Sequence, residues 1–186
     1  MLRRILCVLA AIVCATHAGD LARHLPLTHG LPAHSAPPMM LFERNDGQAP
    51  PAYRFLARGA GYAADFDARG VDLALTTYKR KPAVHLRMDF VGSRDAAVTG
   101  DTPLASRVNV LQGKDPRGWH THIPTFARVR YDRLYDGIDA VFYGADRGLE
   151  YDLLFAPHAN PQQVALRFGG ADNVELNRDG DLVVRD

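Results

Sequence analysis

Apolar residues follow a period of two along most of this chain. In the clearest run, from Val84 to Phe90, every second residue is apolar and the residues between them are polar or charged. Because successive side chains of a β-strand point to opposite faces of a sheet, this alternation predicts strands with one face in the core and the other towards solvent. The same pattern recurs at residues 71–75, 149–155 and 164–168. From Tyr53 onward it predicts an all-β fold in the form of an antiparallel β-sandwich-like domain.

Turn residues connect these runs into hairpins. The pair Asp179–Gly180 stands between two short apolar alternations at residues 174–176 and 182–184, which predicts a reversal of the chain. Residues 138–143 are predicted to pair with residues 149–155 in the same way, across a turn rich in glycine. This part of the chain shows no sustained helical period, so the prediction contains no helical layer.

The amino terminus has the anatomy of a secretory signal peptide. Two arginines precede an apolar run, residues 5–15, and small Ala18 closes the segment. The run is shorter than the roughly 20 apolar residues that a membrane-spanning helix needs, so we predict that residues 1–18 are cleaved and that no membrane insertion follows. Both cysteines, Cys7 and Cys14, lie in this segment. The exported chain would therefore have neither a disulfide nor a thiol nucleophile.

Residues 19–38 combine proline and histidine without a sustained period, which predicts a flexible linker ahead of a domain at residues 39–186. Loss of the two signal-peptide arginines would leave 20 Lys and Arg against 21 Asp and Glu. This balance gives no electrostatic preference for nucleic acid. We expect the domain to be secreted, either to the periplasm or to the cell surface and medium.

Several motifs occur in order within residues 39–186. They are FERNDGQ (42–48), FLARGAGY (55–62), VNVLQGKDPRGWHTHIPTFARVRY (108–131), YDGIDAVFYG (135–144), LEYDLLFAPHANP (149–161) and DGDLVV (179–184). Together they resemble the amino-terminal domain of bacterial secreted proteins that carry seven-bladed β-propeller (SBBP) repeats, a family domain of unknown function. The resemblance implies a β-rich module of the envelope or extracellular space without a catalytic role.

The chain departs from that family at its carboxyl end. The resemblance implies that propeller repeats follow such a domain, but the sequence stops at Asp186, directly after a predicted strand. We therefore expect the domain at residues 39–186 to be a truncated copy of a longer repeat protein, unless it folds as a complete unit without the repeats.

Glu150 and Asp152 are the best catalytic candidates of the sequence. Two residues apart in a strand, they would lie on one face about 7 Å apart. This separation is within the roughly 6.5 to 9.5 Å of an inverting glycoside hydrolase pair. Any two acids at this spacing satisfy the criterion, however, and solvent-facing acids are the favoured interpretation.

Two other groups of residues suggest binding chemistry. His120 and His122 alternate in an extended segment, but zinc needs at least three protein ligands and no third ligand follows at a diagnostic spacing. Surface histidines near the start of a strand are therefore favoured. A dense set of aromatic residues could stack on sugar rings if it were exposed, although alternating aromatics more often form a core. The set comprises Trp119, Tyr131, Tyr135, Phe142, Tyr143 and Tyr151.

The sequence has no Gly-rich phosphate loop, nucleophile elbow or CxxC pair. We therefore predict a non-enzymatic secreted or cell-surface module with a structural or interaction role, with no cofactor, no metal and no catalytic residues. Its partner would be an unidentified protein or glycan. The alternatives are a carbohydrate-binding module and, less favoured, a glycoside hydrolase-like enzyme that uses Glu150 and Asp152.

Overall fold

The computed structural model describes residues 40–59, 61–75, 84–145, 148–170, 173–176 and 182–185. The predicted signal peptide (1–18) and linker (19–38) lie outside these residues. The described part contains twelve strands and two short 3₁₀ turns, at Pro116–Gly118 and Pro161–Gln163. The strands are β1 (Phe42–Arg44), β2 (Phe55–Gly59), β3 (Tyr62–Phe66), β4 (Gly70–Leu75), β5 (Val84–Phe90), β6 (Ala97–Val110), β7 (His120–Tyr135), β8 (Ile138–Ala145), β9 (Gly148–Phe155), β10 (Leu166–Gly169), β11 (Asn173–Leu176) and β12 (Leu182–Arg185).

The predicted all-β, antiparallel fold is confirmed. Strand β5 shows why the alternation was informative, because Leu86, Met88 and Phe90 are buried whereas His85 is exposed. The hairpins predicted at 138–155 and 174–184 form as β8–β9 and β11–β12. No helix among the described residues is both long enough and apolar enough to cross a membrane.

Ten strands form one antiparallel sheet in the order β10-β5-β4-β3-β2-β1-β7-β8-β9, and β6 pairs with β7. The long strand β7 is the branch point. Its residue Phe126 pairs with β1 and with β6, whereas Val129 pairs with β6 and with β8. Since a strand has two edges, β1 and β8 lie one after the other along the edge of β7 that β6 does not occupy.

The branched sheet curls so that its inner face packs against itself. The rings of Phe66 in β3 and Phe142 in β8 lie 5.2 Å apart, although three strands separate β3 from β8 in the sheet order. Phe90 in β5 and Tyr131 in β7 lie 5.3 Å apart, and the buried Tyr131 hydroxyl donates a 2.9 Å hydrogen bond to the main-chain oxygen of Gly70. One curled open sheet therefore produces the sandwich-like packing that the sequence predicted.

Candidate functional site

The hairpin formed by β6 and β7 extends beyond the rest of the sheet. The last pairing between β1 and β7 is at Thr125, whereas β6 continues to pair with β7 as far as Val110 and His120. We call residues 104–124 the β6–β7 arm. Most of its side chains are exposed, with Ile123 near its base as the buried exception. A two-stranded ribbon of this kind has little core of its own and presents its side chains to a neighbouring molecule.

Two large apolar side chains are exposed at the tip of the arm. Leu111 is 59% exposed and Trp119 is 39% exposed, and the two residues flank the register pair of Val110 and His120. They are two of the four large apolar side chains that are exposed in the described part of the chain. Single exposed apolar residues are ordinary on a protein surface, but these two lie at the same end of the arm.

Local hydrogen bonds shape the tip between these two residues. The indole Nε1 of Trp119 lies 3.3 Å from the main-chain oxygen of Gly113 and donates to it. The Asp115 side chain accepts from the Arg117 amide at 3.0 Å and so caps the short 3₁₀ turn that Pro116 begins. The indole is therefore held in a defined position while part of its ring remains accessible.

The outer end of the arm is tied to the loop that follows β1. Nδ1 of His120 lies 3.1 Å from the main-chain oxygen of Asp46. Gly47 has φ of 109°, and a Cβ atom there would lie 2.8 Å from Cε1 of His120. Only glycine satisfies both the backbone conformation and the close approach. The motifs FERNDGQ and GWHTHIP, which are distant in sequence, therefore meet at this contact.

A single asparagine organises that loop. The Asn45 side chain donates to the main-chain oxygens of Ala49, Pro50 and Tyr53, at 3.2, 3.0 and 2.9 Å. Its Oδ1 accepts from the amides of Gly47 and Ala49 at 3.1 and 3.2 Å. These bonds satisfy main-chain groups that a turn of this length leaves without partners, and they hold the Asp46 carbonyl against the arm.

The loop also borders a pocket of about 520 Å³. Its lining residues include Asn45, Tyr53, Arg54, Phe55 and, from β6, Val98. The pocket is open on one side and its contacts are mainly with the loop itself. Its titratable lining residues are Arg44, Tyr53 and Arg54.

Glu150 and Asp152 lie on one face of β9, as the sequence predicted. Both are half-buried, whereas Tyr151 and Leu153, between and beyond them, are buried on the inner face. The Tyr143 hydroxyl of β8 donates a 3.1 Å hydrogen bond to Asp152. Burial raises the pKa of Tyr143, and the hydrogen bond to Asp152 raises it further. These acids face outward from the sheet. Sequence periodicity could not reveal that Tyr143 lies beside Asp152.

The two histidines of the arm do not converge. His120 contacts Asp46, whereas His122 is exposed, has φ of 60° and donates its main-chain amide to Asn109 at 2.8 Å. The described residues contain no cluster of three or more His, Cys, Asp or Glu side chains that could hold a metal ion. The favoured interpretation of surface histidines at the start of a strand agrees with this placement.

The aromatic set divides between the core and the surface. Tyr131, Tyr135, Phe142 and Tyr151 are buried, and Tyr143 is half-buried. The six side chains therefore do not form an exposed row that could stack on sugars. Trp119 alone of the six is exposed, at the arm tip.

Sequence reasoning missed a row of four charged residues and one leucine that crosses five strands of the sheet. Register pairs place Glu43, Leu56, Asp65, Asp72 and Arg87 side by side on five consecutive strands. Asp65, Asp72 and Arg87 look like ordinary outward-facing positions in their own strands, whereas Leu56 and Glu43 are buried. Only the register between strands shows that they are neighbours.

Arg87 stands at the end of this row and is the centre of an ion network. Its guanidinium lies 2.6 Å from Asp67, 2.8 Å from Asp72 and 2.8 Å from Asp89. The Tyr53 hydroxyl donates to Asp72 at 2.9 Å, and this hydrogen bond raises the pKa of Tyr53 to about 12. The row joins strands β4 and β5 to the loop after β1, which indicates a structural ion network.

Asp65 is the exception in the row. Its Oδ1 is buried without a hydrogen-bond partner in the described part of the chain. Burial raises the pKa of Asp65, while the charge of Arg58 lowers it and that of Asp72 raises it. Half-exposed overall, this carboxyl lies in the face of the sheet and not in a cleft.

The family model that matches this chain covers residues 42–186, from the first residue of β1 through the β11–β12 hairpin. The chain belongs to the family described as domain of unknown function DUF7948. No curated protein and no solved structure matches it. The DUF7948 match includes the loop after β1, the whole β6–β7 arm and the acids of β9. The family description assigns no activity to any of these features.

Proposed function

We propose that this chain is a non-enzymatic module exported from a bacterial cell, which acts by binding a partner at the cell exterior through the β6–β7 arm. The observation that carries the proposal is the exposure of Leu111 and Trp119 side by side at the tip of a projecting hairpin. Tryptophan is among the residues that contribute most to binding energy in interfaces. Export is supported by the signal-peptide pattern of residues 1–18.

We also propose that the DUF7948 domain of this chain corresponds to the amino-terminal domain of SBBP-repeat proteins. The motifs that carry the resemblance support this, because they occur in order across residues 42–184, nearly the whole span of the DUF7948 match. A role as an attachment module agrees with a domain that stands ahead of propeller repeats in such proteins.

Export is tested by amino-terminal sequencing of the protein from the periplasm and from the medium. The proposal predicts a mature chain that begins near Gly19. Intact Met1 on protein confined to the cytoplasm would show that the export prediction is wrong.

The interaction role is tested by mixing the purified protein with the washed envelope fraction of the exporting cells and measuring its depletion from the supernatant. An arm variant, Leu111→Ser with Trp119→Ser, is compared with a control, Val91→Ser with Leu154→Ser, whose parent side chains are both 41% exposed elsewhere. The wild type and the control should bind, and the arm variant should remain in solution. Equal binding of all three proteins would contradict the role of the arm, and absence of binding by all three would contradict the interaction role.

A further inference from the structure

Positive charge is concentrated on the β6–β7 arm. Its charged residues are Arg107, Lys114, Asp115 and Arg117, so its net formal charge of +2 exceeds the +1 of the whole chain. Asp115 and Arg117 pair with each other at 2.7 Å. Arg107 and Lys114 are exposed and have no ion-pair partner within the described residues. Nη1 of Arg107 donates to the main-chain oxygens of Leu104 and Ser106, at 2.9 and 2.8 Å, and its other guanidinium nitrogens make no hydrogen bond among the described residues. The arm therefore offers two cations without a carboxylate partner to an incoming anion.

Groups that suit a carbohydrate surround these cations. The exposed face of Trp119 can stack on the apolar face of a sugar ring, and Leu111 extends that surface. Asn109, Gln112 and Thr121 are exposed on the same ribbon and can exchange hydrogen bonds with sugar hydroxyls.

The small size of the arm favours a polymer over a folded protein. A stable protein interface buries about 800 Å² on each partner and uses roughly 20 to 30 residues a side. The arm is two strands wide, with about 4.8 Å between the strands, and its tip adds two large apolar side chains. Its contiguous surface is therefore much smaller than the area that a stable protein interface buries on each partner. A linear polysaccharide needs a smaller contact and gains affinity because it presents the same unit many times.

We propose that the β6–β7 arm binds a linear polysaccharide that carries carboxylate groups along its length, with Trp119 stacked on a sugar ring at the tip, Lys114 beside a carboxylate at the tip and Arg107 beside another nearer the base. This inference rests on the proposed function and names the chemistry of its partner. The arm is a binding surface in this proposal, and no bond of the polysaccharide is broken.

Trp119 is the single tryptophan of the chain, so its fluorescence reports directly on the arm tip. Polygalacturonate is titrated into the purified protein, with dextran as a neutral glucan and polyglutamate as an acidic polypeptide. We expect a blue shift with polygalacturonate, a much smaller response to dextran and polyglutamate, and a response that weakens as salt screens the charges.

Variants measure the contribution of the Trp119 ring separately from that of the two cations. Their binding to polygalacturonate is measured by isothermal calorimetry. Trp119→Ala should weaken binding by about two- to tenfold, as expected for one aromatic contact, whereas Trp119→Phe should retain most of it. Arg107→Ala with Lys114→Ala should reduce both the affinity and its dependence on salt. The control Arg128→Ala, an exposed cation outside the arm, should bind as the wild type does. Circular dichroism and thermal melting of each variant establish that it is folded.

An equal response to dextran, a response to polyglutamate without one to polygalacturonate, or no response to any of the three polymers would overturn this inference. If envelope binding still depends on Leu111 and Trp119 in that case, the proposed function remains and the carboxylated polysaccharide is wrong. If envelope binding is also absent, both are wrong.

Discussion

Nδ1 of His120 lies 3.1 Å from the main-chain oxygen of Asp46, which joins the first residue of β7 to the loop after β1. This contact holds the outer end of the β6–β7 arm against that loop. The loop is held in turn by the five hydrogen bonds of the Asn45 side chain. The position of the proposed binding tip therefore depends on a residue in a different part of the sequence.

Replacing Asn45 should destabilise the protein through this loop. In Asn45→Ala the main-chain oxygens of Ala49, Pro50 and Tyr53 lose their hydrogen bonds from the side chain, and we expect a loss of about 1 to 3 kcal/mol in the free energy of unfolding. Asn45→Asp keeps the two accepting contacts but places a carboxylate oxygen against these three main-chain oxygens, so it should also be less stable than the wild type. Urea denaturation measures both, with exposed Gln112→Ala as a control expected within about 0.5 kcal/mol of wild type. Equal stability of all four proteins would contradict the organising role of Asn45.

Phe142 tests whether the two halves of the curled sheet pack on each other. Its ring lies within 5.2 to 6.3 Å of four other aromatic rings, contributed by both halves. Phe142→Ala should cost about 3 to 5 kcal/mol in the free energy of unfolding, because a buried cavity replaces the ring. Leu154→Ala, at a 41% exposed position of the neighbouring strand, should change it by less than about 0.5 kcal/mol. A loss below about 1 kcal/mol for Phe142→Ala would mean that the inner faces do not pack as described.

Asp89 should give the protein a measurable sensitivity to acid. Hydrogen bonds from Arg167 and Arg87, both at 2.8 Å, lower the pKa of Asp89 below its ordinary value. A carboxyl whose folded pKa is lowered stabilises the fold at pH values above its unfolded pKa, about 3.9, and this contribution is lost as the pH falls through the folded pKa. The free energy of unfolding should therefore fall less steeply below about pH 3.9 in Asp89→Asn than in the wild type.

Asp101→Asn provides the comparison for that measurement, since Asp101 makes a side-chain contact only to its neighbour Thr102 among the hydrogen bonds of the described residues. Its pH profile should follow that of the wild type. If the free energy of unfolding depended on pH in the same way in the wild type and in Asp89→Asn, the ion pair between Arg167 of β10 and Asp89 of β5 would not contribute to stability.

Replacing Glu150 and Asp152 distinguishes a non-enzymatic module from a glycoside hydrolase-like enzyme. Because both face outward, Glu150→Gln with Asp152→Asn should change the free energy of unfolding by no more than about 0.5 kcal/mol per site. The asparagine can still accept the hydrogen bond of Tyr143. We expect neither the wild type nor the double variant to release reducing sugars from polysaccharides. Release by the wild type that the double variant abolishes would establish the glycoside hydrolase alternative.

The alternation of side chains along the sequence determined much of this fold. Period two at Val84–Phe90 and at 149–155 correctly predicted β5 and β9, because a strand with one buried face repeats its apolar positions every second residue. The hairpins at 138–155 and 174–184 were also predictable, since their strands are joined by short turns. The same local geometry places Glu150 and Asp152 on one face of β9.

Strand β6 left no such signal, because most of its side chains are exposed and register shifts between Pro103 and Arg107 and between Val108 and Val110 interrupt its pairing. A strand without a buried face has no reason to alternate. The arm and the exposure of Trp119 at its tip therefore became apparent only from the structure.

Contacts between distant strands were decided by the tertiary structure alone. The pairing of β1 with β7 and the branch at β7 join segments that are far apart in the sequence. Such register depends on how the inner faces of the curled sheet pack, which is a property of all its strands together. The residues were present in the sequence, but their proximity arises only when the sheet closes on Phe142 and its aromatic neighbours.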